Sequence, residues 1–249
     1  SYNLNKESDL TIIIPVYKYI KENFHIINEI HNKIYDLFNR NKIIFRVCYI
    51  IDNESNLLDY EHFKSIPYIS YIKLNKNKER IYSRNIAAQL LNTHYIMFND
   101  FDDTLEDPEN IINHYNFIKN NNYEAIYGNT NVIDKDNNKK IWKLPSKITN
   151  KHYTHAHLCT MILTKEFYNQ NSIIDLFNRN INNNIWAGED VYFFYRCLDK
   201  LEAIYNSNIL VYNYFKTGSS WDTRCISLYE RYETTITKYQ DDFTKNYIT

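Results

Sequence analysis

The chain has 249 residues, a net charge of −1 and 44% hydrophobic residues, enough for one large domain with a full core. That charge balance excludes a general nucleic-acid binder. The four cysteines, Cys48, Cys159, Cys197 and Cys225, form no CxxC pair and predict buried, reduced thiols rather than a disulfide framework.

Leu10 to Val16 is a short, near-continuous apolar run, as expected of a central parallel strand. Phe24, Ile27, Ile30, Ile34, Leu37 and Phe38 then recur at helical spacing. Strands are predicted over Ile43 to Ile51 and Tyr68 to Leu74, a helix over Ile81 to Leu91, and a fourth strand over His94 to Asn99. Asp107-Pro108-Glu109 is a helix start, and the helix should run to about Asn120. Alternating strands and helices predict an α/β fold with a parallel sheet covered on both faces.

Further strands are predicted over Ala125 to Gly128 and Leu158 to Leu163, with a helix from Lys165 to Phe177. A hairpin pairs Asn131-Val132-Ile133 with Lys140-Ile141-Trp142 around Asp134 to Asn138. A helix over Glu189 to Leu198 and late strands over Ala203 to Tyr205 and Ile209 to Tyr214 follow. Tyr229, Tyr232, Ile236, Tyr239 and Phe243 mark a closing amphipathic helix. No apolar run is long enough to span a membrane. The polar opening lacks the apolar centre of a signal peptide. A cytoplasmic location is expected, with room for peripheral association at the inner face of the membrane.

The chemistry concentrates in Tyr95 to Thr104, where an apolar run ends in Asp100, Asp102 and Asp103. A buried strand cannot carry three unpaired charges, so the acids must sit where the strand leaves the sheet. Taken alone, the segment is a polar turn before a helix. In an open parallel sheet, however, ligands bind outside the carboxyl ends of the strands. Pro15 and Tyr17 follow strand one, Asp52 follows strand two, and Arg80 and Arg84 open the helix after strand three. A divalent cation on carboxylates, beside two arginines, suits a phosphorylated substrate. There is no GxGxxG and no GxxxxGK[ST], which disfavours dinucleotide dehydrogenases and P-loop enzymes.

Five segments, in order, resemble family 2 glycosyltransferases with the GT-A fold. Thr11 to Tyr17 resembles that family's opening strand and Pro-x-Tyr, and Ile50 to Ser55 its Asp-Asp-Gly-Ser segment. Ser83 to Ala87 resembles its Ala-Arg-Asn helix start, Phe98 to Asp103 its Asp-x-Asp motif, and Trp186 to Asp190 its Gly-Glu-Asp acceptor motif. The resemblance implies a single Rossmann-like GT-A domain with a mostly parallel sheet. Its nucleotide-binding half would be residues 10–105 and its acceptor-side half 106–215, with a C-terminal lid and helix over 216–249. The implied reaction is inverting transfer of a sugar from a nucleotide diphosphate, with a UDP-sugar the leading donor. The acceptor would be a glycan or glycolipid hydroxyl, as in surface polysaccharide synthesis.

By that resemblance Pro15, Tyr17, Asp52, Arg84 and Asp100 contact the donor, and Asp102 with Asp103 holds Mn²⁺ or Mg²⁺. Asp190 is the general base, and Glu189 positions a hydroxyl. Trp186 either stacks on the acceptor or packs in the core. The family's loop glycines are replaced by Glu54 and Glu79, and every His lies at or before His157, so no downstream His is available as a further metal ligand. His152, His155 and His157 lack a Cys or carboxylate partner at zinc spacing. Each reads as a loop His touching sugar or as an ordinary surface residue. Two rival readings are a sugar nucleotidyltransferase and a non-catalytic nucleotide- or glycan-binding module.

Overall fold

The computed structural model describes residues 1–16, 21–51, 60–75, 79–144, 157–174, 193, 196–197 and 204–215. β1 (Ser8–Val16) is buried along almost its whole length, as its unbroken apolar run requires of a strand covered on both faces. It pairs in parallel with β2 (Phe45–Ile51) and β4 (Thr93–Phe98), and β2 pairs in parallel with β3 (Ile69–Lys73). α1 (Lys21–Arg40) buries Phe24, Ile27, Ile34, Leu37 and Phe38 on one face, together with His31. α2 (Tyr60–Ser65), which the sequence did not suggest, precedes β3. α3 (Glu79–Leu90) leads into β4.

Beyond β4 the sheet turns mixed. β8 (Ile162–Thr164) is antiparallel to β4 and to β6 (Ala125–Ile133). β9 (Ile204–Phe215) runs parallel to β6, and β7 (Lys139–Trp142) pairs antiparallel with β6. The two-residue β5 (Thr104–Leu105) lies antiparallel on β9. The path is thus β3-β2-β1-β4-β8-β6-β9-β5, with β7 off it. A flat sheet would put β5 four strand spacings, roughly 19 Å, from β4. The link from Phe98 to Thr104 is short and contains a turn, with the Asp103 N–H donating to the Asp100 carbonyl. The sheet must therefore curl to bring β5 onto β9.

α4 (Pro108–Asn121) starts as expected. Asp107 caps it by accepting from the Glu109 N–H at 2.9 Å, Pro108 opens its first turn, and Asn122 closes it in the left-handed region at φ 54°. Among the described residues Cys48, Cys159 and Cys197 are buried and outside any disulfide. No described helix is long and apolar enough to cross a membrane.

Three local expectations are corrected. The two short strands expected within 125–133 are one strand, and so are the two expected late strands. The polar break at Asn206 to Asn208 is a bulge, with Asn208 at φ 59°, through which β9 continues. Gly128 lies at this bulge because β9 comes too close for a side chain: a Cβ there would stand 2.7 Å from both the Ile209 carbonyl oxygen and Val211 Cγ2. Gly128→Ala is expected to lower stability by about 1–3 kcal/mol, read from the shift in urea midpoint. Finally, the strand expected from Leu158 starts only at Ile162. Leu158–Thr160 is a 3₁₀ turn, because the Thr160 N–H and hydroxyl both donate to the His157 carbonyl, at 2.8 and 2.7 Å. α5 (Lys165–Gln170) follows, closed by Asn171.

Ala125 pairs with Leu163, and Leu163 with Ile96, so Ala125 stands level with Ile96. β4 ends at Phe98 while β6 runs on to Ile133. β6 and β9 therefore project past the carboxyl rim of the parallel half by roughly 20 Å.

Candidate active site

The carboxyl end of β4 delivers the acids to that rim. The Asn99 N–H donates to the Ile13 carbonyl at 3.1 Å, tying the strand end to β1. The three carboxylates then part company. Asp100 turns toward α3, Asp102 is exposed, and Asp103 is buried.

Arg84, 2% exposed, donates through Nη2 to Asp100 Oδ1 at 2.7 Å and approaches Cys159 Sγ at 3.6 Å, with its guanidinium 5.1 Å from the Phe98 ring centre. Arg80, on the same face of α3 one turn earlier, reaches Asp100 Oδ2 at 3.2 Å. Burial pushes the Asp100 carboxyl upward, but Arg84, Arg80 and His157 outweigh it and hold the group below the usual carboxylate range.

Asp103 is in the opposite position. Oδ2 accepts from the Tyr212 hydroxyl at 2.6 Å, and Oδ1 accepts from the Phe215 N–H at 2.8 Å. Burial first, then Asp100 and Asp102, push its carboxyl up to about 8 despite those two donors. Asp102 is raised as well, by partial loss of water and by Asp100, although its surface faces solvent. The turn is therefore short of positive charge, and its hard oxygen donors fit a divalent cation. Among the described residues no three His, Cys, Asp or Glu side chains converge as a metal site. The exposed carboxylate open to a cation is Asp102, because both Asp103 oxygens face inward.

Pro15 lies in β1 beside Ile50 of β2, at the same rim. Tyr17, Asp52, Glu54, Trp186, Glu189 and Asp190 lie outside the described residues. So do His152, His155, Cys225 and the 216–249 segment that carries the expected lid and closing helix. The structure thus brings Pro15, Arg84, Asp100, Asp102 and Asp103 together at one end of the sheet.

It also adds residues that the sequence did not mark. Tyr212 supplies the hydroxyl to Asp103; His157, already marked as a loop or surface His, is half-buried and stacks on the Tyr212 ring at 5.0 Å. His114, buried on α4, supports the 3₁₀ turn beneath His157 and Cys159. Its Nε2 lies 3.0 Å from the Thr160 carbonyl and its Nδ1 2.8 Å from the Ser207 hydroxyl. A helix-face His could not be told from an ordinary packing residue in sequence, and Tyr212 sits inside an unremarkable strand run.

The family model described as glycosyl transferase family 2 matches residues 11–184. No curated protein matches the chain in sequence. Among solved structures, residues 1–349 of TarS from S. aureus superpose with a TM-score of 0.57 at 18% identity, covering 83% of this chain and 60% of that one. The same fragment in complex with UDP-GlcNAc gives 0.59 at 17% identity, over 85% and 60%. Its complex with UDP gives 0.56 at 16% identity, over 84% and 61%. The chain thus spans about 60% of the length of these relatives. The likeness establishes a shared glycosyltransferase fold.

Proposed function

The chain belongs to glycosyl transferase family 2, and from that membership we propose that it moves a sugar, with inversion, from a nucleotide diphosphate to a glycan or glycolipid hydroxyl in surface polysaccharide synthesis. The carrying observation is the Arg84–Asp100 pair beside the exposed Asp102, at the carboxyl end of a central parallel strand. Support for a UDP-sugar donor comes from the fold shared with TarS, whose structures include complexes with UDP and UDP-GlcNAc. A cytoplasmic site, at or near the inner face of the membrane, fits a donor of this kind.

In this reading Arg84 is bound by Asp100 and shapes the donor pocket from below. Arg80, half exposed and paired with Asp100, would turn toward a diphosphate oxygen when one arrives. Asp102 would hold Mn²⁺ or Mg²⁺, with diphosphate oxygens and water completing the shell. Bound there, the cation would offset the charge that gathers on the departing diphosphate. The acceptor oxygen attacks the anomeric carbon from the opposite face, the diphosphate leaves with the bonding pair, and the acceptor proton passes to Asp190. A base so placed contributes typically about 10²–10⁴-fold. Pro15, Tyr17 and Asp52 would hold the nucleotide base. Glu189 and Trp186 would order the acceptor.

The test is a thermal-shift series of nucleotide sugars and UDP, with and without Mn²⁺. UDP with Mn²⁺ should raise the melting temperature, and a chelator should remove the increment. No shift with any nucleotide would sink the donor assignment. Asp102→Asn should leave the ligand-free melting temperature within a few degrees, because the side chain is exposed. It should abolish the Mn²⁺-dependent increment and turnover.

A further inference from the structure

The acidic turn is fastened at both ends. On the β1 side Asn99 donates to the Ile13 carbonyl, and its side-chain amide reaches the Asp103 carbonyl at 3.4 Å. On the far side residues 103–106 are zipped to 211–215. β5 pairs with β9, the Glu106 N–H donates to the Val211 carbonyl at 3.0 Å, and the Asn213 amide donates to the Leu105 carbonyl at 3.3 Å. The shortest of these contacts is the Tyr212 hydroxyl on Asp103 Oδ2, at 2.6 Å. Tyr212 is fully buried and its ring is set by the His157 stack. Between the two fastenings Asp102 faces solvent.

We propose that Tyr212 and Asp103 are positioning residues for donor binding: their hydrogen bond anchors the acidic turn to the end of β9 and so fixes where Asp102 presents its carboxylate. The inference rests on the donor reading above. A buried carboxyl is a costly way to join a short strand to a sheet edge. An apolar side chain at 103 would close the same gap without burying a polar group beside two other acids. What an apolar contact lacks is direction. Asp103 takes one donor from the Tyr212 side chain and one from the Phe215 backbone, which together fix the turn in both rotation and height.

Tyr212→Phe keeps the ring and removes only the donor. UDP affinity in the presence of Mn²⁺, read by calorimetry, should fall about tenfold, the scale of one lost buried hydrogen bond. The melting temperature should change by no more than a few degrees. Higher Mn²⁺ should restore part of the affinity, which a purely structural defect would not permit. Hydrogen exchange of the ligand-free protein should quicken within 100–105 and 211–215, and not in β1 or β2. Unchanged UDP affinity together with unchanged exchange in those two segments would overturn the inference. If the parent protein binds no UDP, the donor reading is what fails, and the exchange comparison still decides whether this bond holds the turn. Should Tyr212→Phe fail to fold, Asp103→Asn carries the same measurements, since its amide oxygen can accept from only one of the two donors at full strength.

Discussion

Arg84→Met is expected to lower stability by about 3–5 kcal/mol and to abolish nucleotide binding, whereas Arg80→Met should cost no more than about 1 kcal/mol. Both arginines pair with Asp100, yet their surroundings differ. The Arg84 side chain is 2% exposed and the Arg80 side chain 46%. Removing Arg84 strands a largely desolvated carboxylate, leaves the Phe98 face without its cation and opens space beside Cys159. Removing Arg80 takes away a solvent-screened partner. Arg84→Lys should recover only part of the loss, because an ammonium lacks the planar guanidinium that lies over the Phe98 ring while one of its nitrogens reaches Asp100. Urea midpoints for the three variants, with unchanged slopes, would check the ranking. Equal losses for Arg84→Met and Arg80→Met would show that the ion pair is screened at both ends.

His31→Leu should stabilise the protein, and the gain should widen as the pH falls. His31 is fully buried on α1, 6.4 Å from the Phe45 ring, and neither ring nitrogen has a partner among the described residues. Burial pushes its pKa down to about 3 from 6.5. The folded chain refuses a proton that the unfolded chain accepts below about pH 6.5. Stability from this site is therefore intact above that pH and drains away as the pH falls toward 3. At pH 7 the gain should be about 1–3 kcal/mol from removing unsatisfied polar atoms. Below pH 6 it should grow by up to about 1.4 kcal/mol per pH unit. The whole protein need not follow this slope. His114, lowered to about 4, adds to it, while Asp103, raised to about 8, opposes it. The difference between variant and parent isolates His31, and a difference that stays flat from pH 7 to 4 would mean that the site takes up its proton in the folded state.

Much of the fold was legible because it depends on local pattern. β1 reads as buried on both faces from an unbroken apolar run, α4 from Asp107-Pro108-Glu109, and the exit of the acids from the impossibility of burying three charges. The place of Arg84 at the rim was legible, although its burial against Phe98 and Cys159 was not. The misses share one cause. β5 has two residues and no pattern of its own; it exists because the curled sheet brings Thr104 and Leu105 onto β9. Once β5 was missed, nothing in the sequence could join Asp103 to Tyr212, 109 positions later. Asp102 and Asp103 therefore looked equivalent, as though they shared one task. Burial separates them: one points outward and the other is a fixing point. The breaks expected in β6 and β9 were real irregularities, but paired strands absorb such residues as a bulge instead of ending.

The overhang of β6 and β9 past the rim of the parallel half divides the labour within the chain. Asp134 to Asn138 turn at its tip, with Asp134 accepting from the Asn138 and Asp136 backbone N–H groups, so the tip is closed by its own residues. Residues added to or removed from that tip leave β1, β4 and Arg84 untouched. The tip, and not the strands behind it, is thus an interchangeable part, since Tyr212 and Phe215 of β9 hold Asp103. Grafting another turn between Ile133 and Lys139 is therefore expected to leave the charge-handling end as it is.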